Sequence, residues 1–133
     1  MATRMSIGIA AAALLATLPA AAHHSQSAFY DASRKVEITG TVAQFAFKNP
    51  HAVIVVDAPD AASQPRQWQV EMGSTTLMTR QGWTPESIKP GDGIKVTGQP
   101  SKAEGTYGTC CAQITRADGS PFVAGRGRGR GAQ

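Results

Sequence analysis

The sequence predicts an all-β domain with one short helix. Five segments have the alternating or continuously apolar pattern of β-strands, and turn-forming glycine, proline, asparagine and aspartate residues separate them. The one segment with a helical pattern lies between the third and fourth strands. Three strands, a helix and two further strands are the order of an OB-fold, a small five-stranded Greek-key barrel. We therefore expect an OB-like barrel, with an open β-sandwich or another small barrel as the alternative.

The first three predicted strands cover residues 35–47, 52–57 and 66–72. The apolar residues of the first strand change phase next to Gly40, which predicts a bulge that bends a long strand. The second strand is apolar on both faces, as expected of a buried central strand. The third strand alternates between apolar and polar residues, so Trp68 should point into the core.

Residues 73–83 predict a short helix that is capped by Ser74 or Thr75 and ends at Gly82. The apolar residues of this segment that should cover the core are Leu77, Met78 and Trp83.

The fourth and fifth predicted strands cover residues 93–100 and 109–119, and the fifth contains the two cysteines, Cys110 and Cys111. Neighbouring strand residues point to opposite faces, and their α-carbons, about 3.8 Å apart, are closer than in most disulfides. We therefore expect two separate structural thiols, with Cys110 in the core and Cys111 facing outward. A vicinal disulfide, a thiolate metal ligand and an intermolecular bridge stay open, and Cys111 is kept as a candidate site residue.

The first 22 residues predict a secretory signal peptide. A basic start precedes an apolar run, residues 7–18, that is too short to span a bilayer at roughly 20 residues. Ala20 and Ala22 then match the small-residue pattern of a cleavage site. Cleavage after Ala22 would leave a periplasmic or secreted chain that begins at His23 and has no transmembrane segment. An uncleaved anchor is the alternative.

The mature chain is predicted to hold one domain, residues 23–119, and a disordered Gly/Arg-rich tail, residues 120–133. The signal and the tail contain four of the 13 Lys and Arg residues, and the remaining nine balance nine Asp and Glu residues. The domain is therefore formally neutral, and nucleic acid is not expected as a partner. The tail is suited either to attraction by anionic lipids or envelope polymers or to a solvated end without a partner.

Several short motifs occur together in this chain. They are His-His-Ser at 23–25, Tyr30-Asp31, V-x-x-x-G-x-V at 36–42, Asn49-Pro50-His51, "WQVE" at 68–71, Gly82-Trp83 and "IKPGDGIKV" at 88–96. In this combination the chain resembles a family of small exported bacterial proteins that is classed as a domain of unknown function. The resemblance covers about residues 20–119. It implies export and a mature terminus at His-His-Ser, and it implies no activity; the adjacent cysteines and the Gly/Arg tail depart from its pattern.

The chain has three histidines, His23, His24 and His51, and two of them would begin the mature protein. An amino terminus has a pKa of about 7.7–8.0, so a metal ion can displace its proton near neutral pH. Amine and imidazole nitrogens together favour Cu(II). We therefore predict a copper site formed by the amine and ring of His23, with His51 as a third ligand. His24 is an alternative source of the imidazole, and zinc is the second choice of metal.

Other functions remain in competition with the copper site. His-His-Ser could be a flexible leader, with His51 a structural turn residue. The alternative function is a non-metal binding or assembly module, in which the barrel face holds a peptide, a glycan or an envelope protein. No nucleophile elbow, phosphate loop or zinc-protease motif occurs in the sequence, so enzymatic activity is not expected.

Overall fold

The computed structural model describes residues 26–124, and most of its regular structure is β. The elements are a 3-10 helix (Gln26–Ala28), β1 (Val36–Ala46), β2 (Val53–Pro59), β3 (Pro65–Glu71), α1 (Thr75–Arg80), β4 (Gly93–Pro100) and β5 (Gly108–Arg116). The predicted signal peptide, His23, His24 and most of the Gly/Arg tail lie outside the described residues.

The five strands close into a barrel in the order β1-β2-β3-β5-β4. β3 and β5 pair in parallel, whereas the other neighbours are antiparallel. The first half of β1 pairs with β4 and its second half pairs with β2, so this long strand joins the two sides of the barrel. With α1 between β3 and β4, the prediction of an OB-like barrel is confirmed.

The bulge in β1 lies further along the strand than the sequence predicted. The register against β2 shifts between Val42 and Gln44, after Gly40 rather than next to it. Gly40 instead allows a close approach of β1 and β2, because an added Cβ would overlap the carbonyl oxygen of Asp57 and lie 2.7 Å from the Cβ of Ala58.

The core consists of aliphatic side chains, one indole and one phenyl ring. Its buried residues are Ile38, Val42, Ile54, Val56, Ala58, Trp68, Val70, Ile88, Ile94, Val96 and Phe122. Trp68 is 9% exposed, which confirms its predicted direction. Phe122 lies beyond residue 119 and is still buried, with the guanidinium of Arg116 4.5 Å from the centre of its ring.

Helix α1 begins as predicted, because the Ser74 side chain accepts a hydrogen bond from the backbone N–H of Leu77. Met78 is buried, but Leu77 is 51% exposed, so the expectation that both cover the core is wrong for Leu77. Neighbouring residues of a helix point about 100° apart, and only one of the two can face the barrel. Among residues 26–124, no helix combines the length and the apolar character needed to cross a membrane.

Cys110 and Cys111 form a vicinal disulfide, so the expectation of two separate thiols is wrong. Cys111 has a left-handed φ of 56°, and the alternation of a regular strand therefore does not hold at this residue. Opposite the pair, the register of β4 shifts between Thr97 and Gln99. Cys110 is buried and Cys111 is exposed, as predicted.

Candidate functional site

His51 lies in the turn between β1 and β2, beside the last residue of β3. Val53, the first residue of β2, pairs with Glu71, and this pairing brings the glutamate back to the turn. The Nδ1 atom of His51 is 2.6 Å from Oε1 of Glu71. A carboxylate only accepts hydrogen bonds, so Nδ1 carries a hydrogen, and the neutral tautomer compatible with this contact has its lone pair on Nε2.

Tyr30 holds the second oxygen of the same carboxylate. Its hydroxyl donates a hydrogen bond of 2.7 Å to Oε2 of Glu71. Burial, followed by this hydrogen bond and the charge of Glu71, raises the pKa of Tyr30 to about 12. The tyrosine therefore remains a neutral donor, and the carboxylate is fixed from both sides.

A cleft of about 850 Å³ surrounds this group of side chains. Its walls come from the amino-terminal segment of the described chain, the turn that carries His51, the end of β3 and the loop after β4. The residues that line it are Gln26, Ala28, Phe29, Tyr30, Pro50, His51, Glu71, Ser101, Lys102 and Ala103. The side chain of His51 is 43% exposed, so a ligand can reach its ring from solvent.

The amino-terminal segment is held against the loop after β4 by several hydrogen bonds. The ammonium of Lys102 donates to the carbonyl of Ser27 at 2.7 Å, and its backbone N–H donates to the carbonyl of Phe29 at 2.9 Å. Tyr30 also forms a β-bridge with Ser101. These contacts place Gln26, the first described residue, at the wall of the cleft.

Comparison with known proteins identifies the family of the chain. A family model described as "Family of unknown function (DUF6152)" matches residues 11–110. The chain belongs to this family. The match includes Tyr30, His51 and Glu71, so the whole His51–Glu71–Tyr30 group lies within the DUF6152 region. Searches among curated proteins and among solved structures found no match.

Of the predicted site residues, the structure places His51 in the cleft, whereas His23 and His24 lie outside the described residues. Cys111 does not line the cleft, but its Sγ lies 3.2 Å from Oε1 of Gln26. Within residues 26–124, no group of three or more His, Cys, Asp or Glu side chains is arranged to hold a metal ion.

Glu71 and Tyr30 were not predicted as site residues. The alternation of β3 places Glu71 on the outward face, where a solvated carboxylate is the ordinary expectation. One signal was present in the sequence: Tyr30, His51 and Glu71 each belong to a different motif of the family resemblance. The structure brings these three motifs together at one cleft.

Proposed function

We propose that this chain is an exported protein that binds a copper ion in the cleft, through His51 and the amino-terminal histidine of the processed chain. Zinc is the second metal that such a set of nitrogens would take. The role is binding rather than catalysis. Among the described residues, two hydroxyl residues line the cleft with His51: Tyr30 donates to Glu71, and the oxygen of Ser101 accepts hydrogen bonds from Ala103 and Thr106.

The contact between His51 and Glu71 is the observation that carries the proposal. Histidines that bind metals commonly donate their other ring N–H to a carboxylate, which fixes the tautomer and makes the ring a better ligand. Here Glu71 takes the Nδ1 hydrogen at 2.6 Å and Tyr30 holds the carboxylate in place. Nε2 is thereby prepared as a metal ligand on an accessible ring.

The position of Gln26 supports a role for the amino terminus. Gln26 lines the same cleft as His51, and His23 precedes it by three residues. Three extended residues span about 10 Å. A chain that begins at His23 would therefore carry its terminal amine and imidazole within reach of His51.

The test is a calorimetric copper titration of protein that begins at His23, with spin resonance of the bound Cu(II). Removal of an orienting carboxylate typically weakens metal binding by about 10–100-fold, and loss of the ligand itself costs at least as much. We expect losses of about tenfold or more for His51→Ala and for Glu71→Gln. Glu37→Gln, which changes an exposed carboxylate of β1 away from the cleft, is the matched control and should bind as the wild type does.

A chain that retains residues before His23 should bind copper more weakly, because the amine of His23 is then part of a peptide bond and is lost as a ligand. Processed protein that binds neither copper nor zinc more tightly than about 10 μM would contradict the proposal. That result would favour the non-metal alternative, a binding or assembly module, for which this cleft and the 61% exposed Phe29 offer the surface.

A further inference from the structure

The Cys110–Cys111 disulfide lies directly behind the wall of the cleft. Cys110 pairs with Glu71 across β3 and β5, and the Sγ of Cys111 lies 3.2 Å from Oε1 of Gln26. Gln26 and Glu71 line the cleft on one side, and they also line a smaller pocket of about 210 Å³ that reaches Cys111. Two side chains of the cleft wall therefore neighbour the disulfide: Gln26 contacts Cys111, and Glu71 is the strand partner of Cys110.

The two sulfurs of the disulfide differ in how a reductant can reach them. Cys110 is fully buried, whereas Cys111 is exposed and borders the smaller pocket. Exchange requires a thiolate to approach one sulfur of the bond, so access selects Cys111 as the sulfur that is attacked.

We propose that Cys110–Cys111 is a redox-active site, which dithiol reductants attack at Cys111 and whose reduction weakens copper binding in the neighbouring cleft. The coupling to copper rests on the proposed function.

The reaction is a two-step thiol–disulfide exchange. The first thiolate of the reductant bonds to Sγ of Cys111, the Cys110–Cys111 bond breaks, and its electron pair leaves on Cys110, which takes up a proton. The second thiol of the reductant then attacks the reductant's own sulfur in the mixed disulfide and releases Cys111 as a thiolate, which also takes up a proton. The reductant is oxidised to its disulfide by two electrons, and its two thiol protons balance those gained by the cysteines.

Reduction changes the packing contact between Cys111 and Gln26, in which the disulfide sulfur lies against the amide oxygen. The disulfide ties Cys111 to its neighbour in a left-handed conformation, which residues other than glycine rarely adopt. Without the bond, Cys111 can return to extended backbone, and its sulfur moves away from Gln26. Gln26 lines the cleft together with His51, so a shift of Gln26 changes the wall of the proposed copper site and the site loses part of its preorganisation.

The first experiment tests the exchange chemistry with glutathione as a monothiol probe. Glutathione is added in excess and the mixture is quenched with acid, which protonates the freed Cys110 before it can attack the mixed disulfide and expel glutathione. Mass spectrometry of peptides from the folded protein should then find the adduct on Cys111. An adduct confined to Cys110, or no adduct, would overturn the proposal.

The second experiment compares Cu(II) affinity between the disulfide form that begins at His23 and its Cys110→Ser/Cys111→Ser variant. Serine removes the bond without adding a thiolate that could bind or reduce copper. Gln26→Ala, which keeps the disulfide, removes the same contact from the other side. We expect both variants to bind copper at least about fivefold more weakly, the lower end of ordinary coupling between sites. Combining Gln26→Ala with the double serine variant should weaken copper binding little further, because both changes break the same contact.

The outcomes separate the two proposals. Suppose that the disulfide form binds copper and that the Cu(II) affinity of neither variant differs from it by more than about twofold, which is below the usual range of coupling. The redox inference is then overturned and the copper site stands. If the disulfide form itself binds no metal, the proposed function fails and the coupling fails with it. If the serine variant does not fold, Cys110→Ala/Cys111→Ser takes its place, because it leaves no hydroxyl at the buried position 110.

Discussion

Tyr107 is the residue that joins the buried core to a charged cluster on the surface. Its ring meets Trp68 edge-on, with ring centres 5.1 Å apart and planes at 77°. Its hydroxyl donates to Asp60, and the guanidinium of Arg66 lies 5.1 Å from the centre of its ring. The loop between β2 and β3 is thereby attached to the residue that precedes β5.

Replacing Trp68 with alanine should lower the free energy of unfolding by about 3–5 kcal/mol, because the change leaves a large cavity in the core. Denaturant unfolding measures the loss. Trp68→Phe is the control: the indole N–H is buried and has no hydrogen-bond partner among the described residues, so this change removes volume but no hydrogen bond. Trp68→Phe should therefore lower the free energy of unfolding clearly less than Trp68→Ala does. A loss below about 1 kcal/mol for Trp68→Ala would contradict the buried position.

Asp60 should make stability depend on acid pH. Its carboxylate accepts from the backbone of Gln64, then from Arg66, the backbone of Ala62 and Tyr107, and these bonds lower its pKa to about 2. In the unfolded chain the pKa returns to about 3.9. The folded state therefore gains stability from this group above about pH 4 and loses it as the pH falls toward 2.

Unfolding measured from pH 5 to pH 2 should show this loss in the wild type and a flatter profile in Asp60→Asn, which does not titrate. A parallel pH dependence in the two proteins would show that the acid sensitivity comes from other carboxylates.

At the scale of elements, β1 is the strand on which closure of the barrel depends. It pairs with β4 up to Thr41 and with β2 from Thr41 onward, and the bulge after Val42 lies within the second pairing. Gly40 sits just before this change of partners, where the backbone of β2 leaves no space for a side chain.

Gly40→Ala should destabilise the protein by about 1–3 kcal/mol, the usual cost of adding a methyl group where backbone must move. Gly73→Ala is the matched control. Its added Cβ would meet Cδ2 of the exposed Leu77 at 3.4 Å, and a mobile side chain can give way. The control should change stability by no more than about 0.5 kcal/mol in the same denaturant assay. Equal effects at the two glycines would refute the close approach of β1 and β2.

At the scale of the whole molecule, the cleft exists only because the barrel closes. The amino-terminal segment, the turn after β1, the end of β3 and the loop after β4 are far apart in sequence and meet at one place. The copper proposal adds one requirement, which is that the chain must begin at His23.

Protein recovered from the periplasm of an expressing bacterium should therefore have the intact mass of residues 23–133. Ala22→Leu should block cleavage, because the position before the cut requires a small residue, whereas Ala21→Leu should be processed normally. A mass that retains residues 1–22 would remove both the predicted export and the terminal amine ligand.

What the sequence determined by itself is the local structure. The number and order of the strands, the inward direction of Trp68 and the Ser74 cap all follow from patterns within a few residues, and the structure confirms each of them. His51 was also a candidate ligand from the sequence, because the chain contains so few histidines, and the structure places it at the cleft.

The tertiary structure alone decided which distant side chains meet. The Tyr30–Glu71–His51 contacts depend on the register of β2 against β3 and on the return of the amino-terminal segment to Ser101. The vicinal disulfide likewise depends on one left-handed residue that strand periodicity does not show. Periodicity reports only which face of an element a residue occupies. Contacts between elements follow from how the closed barrel aligns those faces, and that alignment is a property of the whole chain.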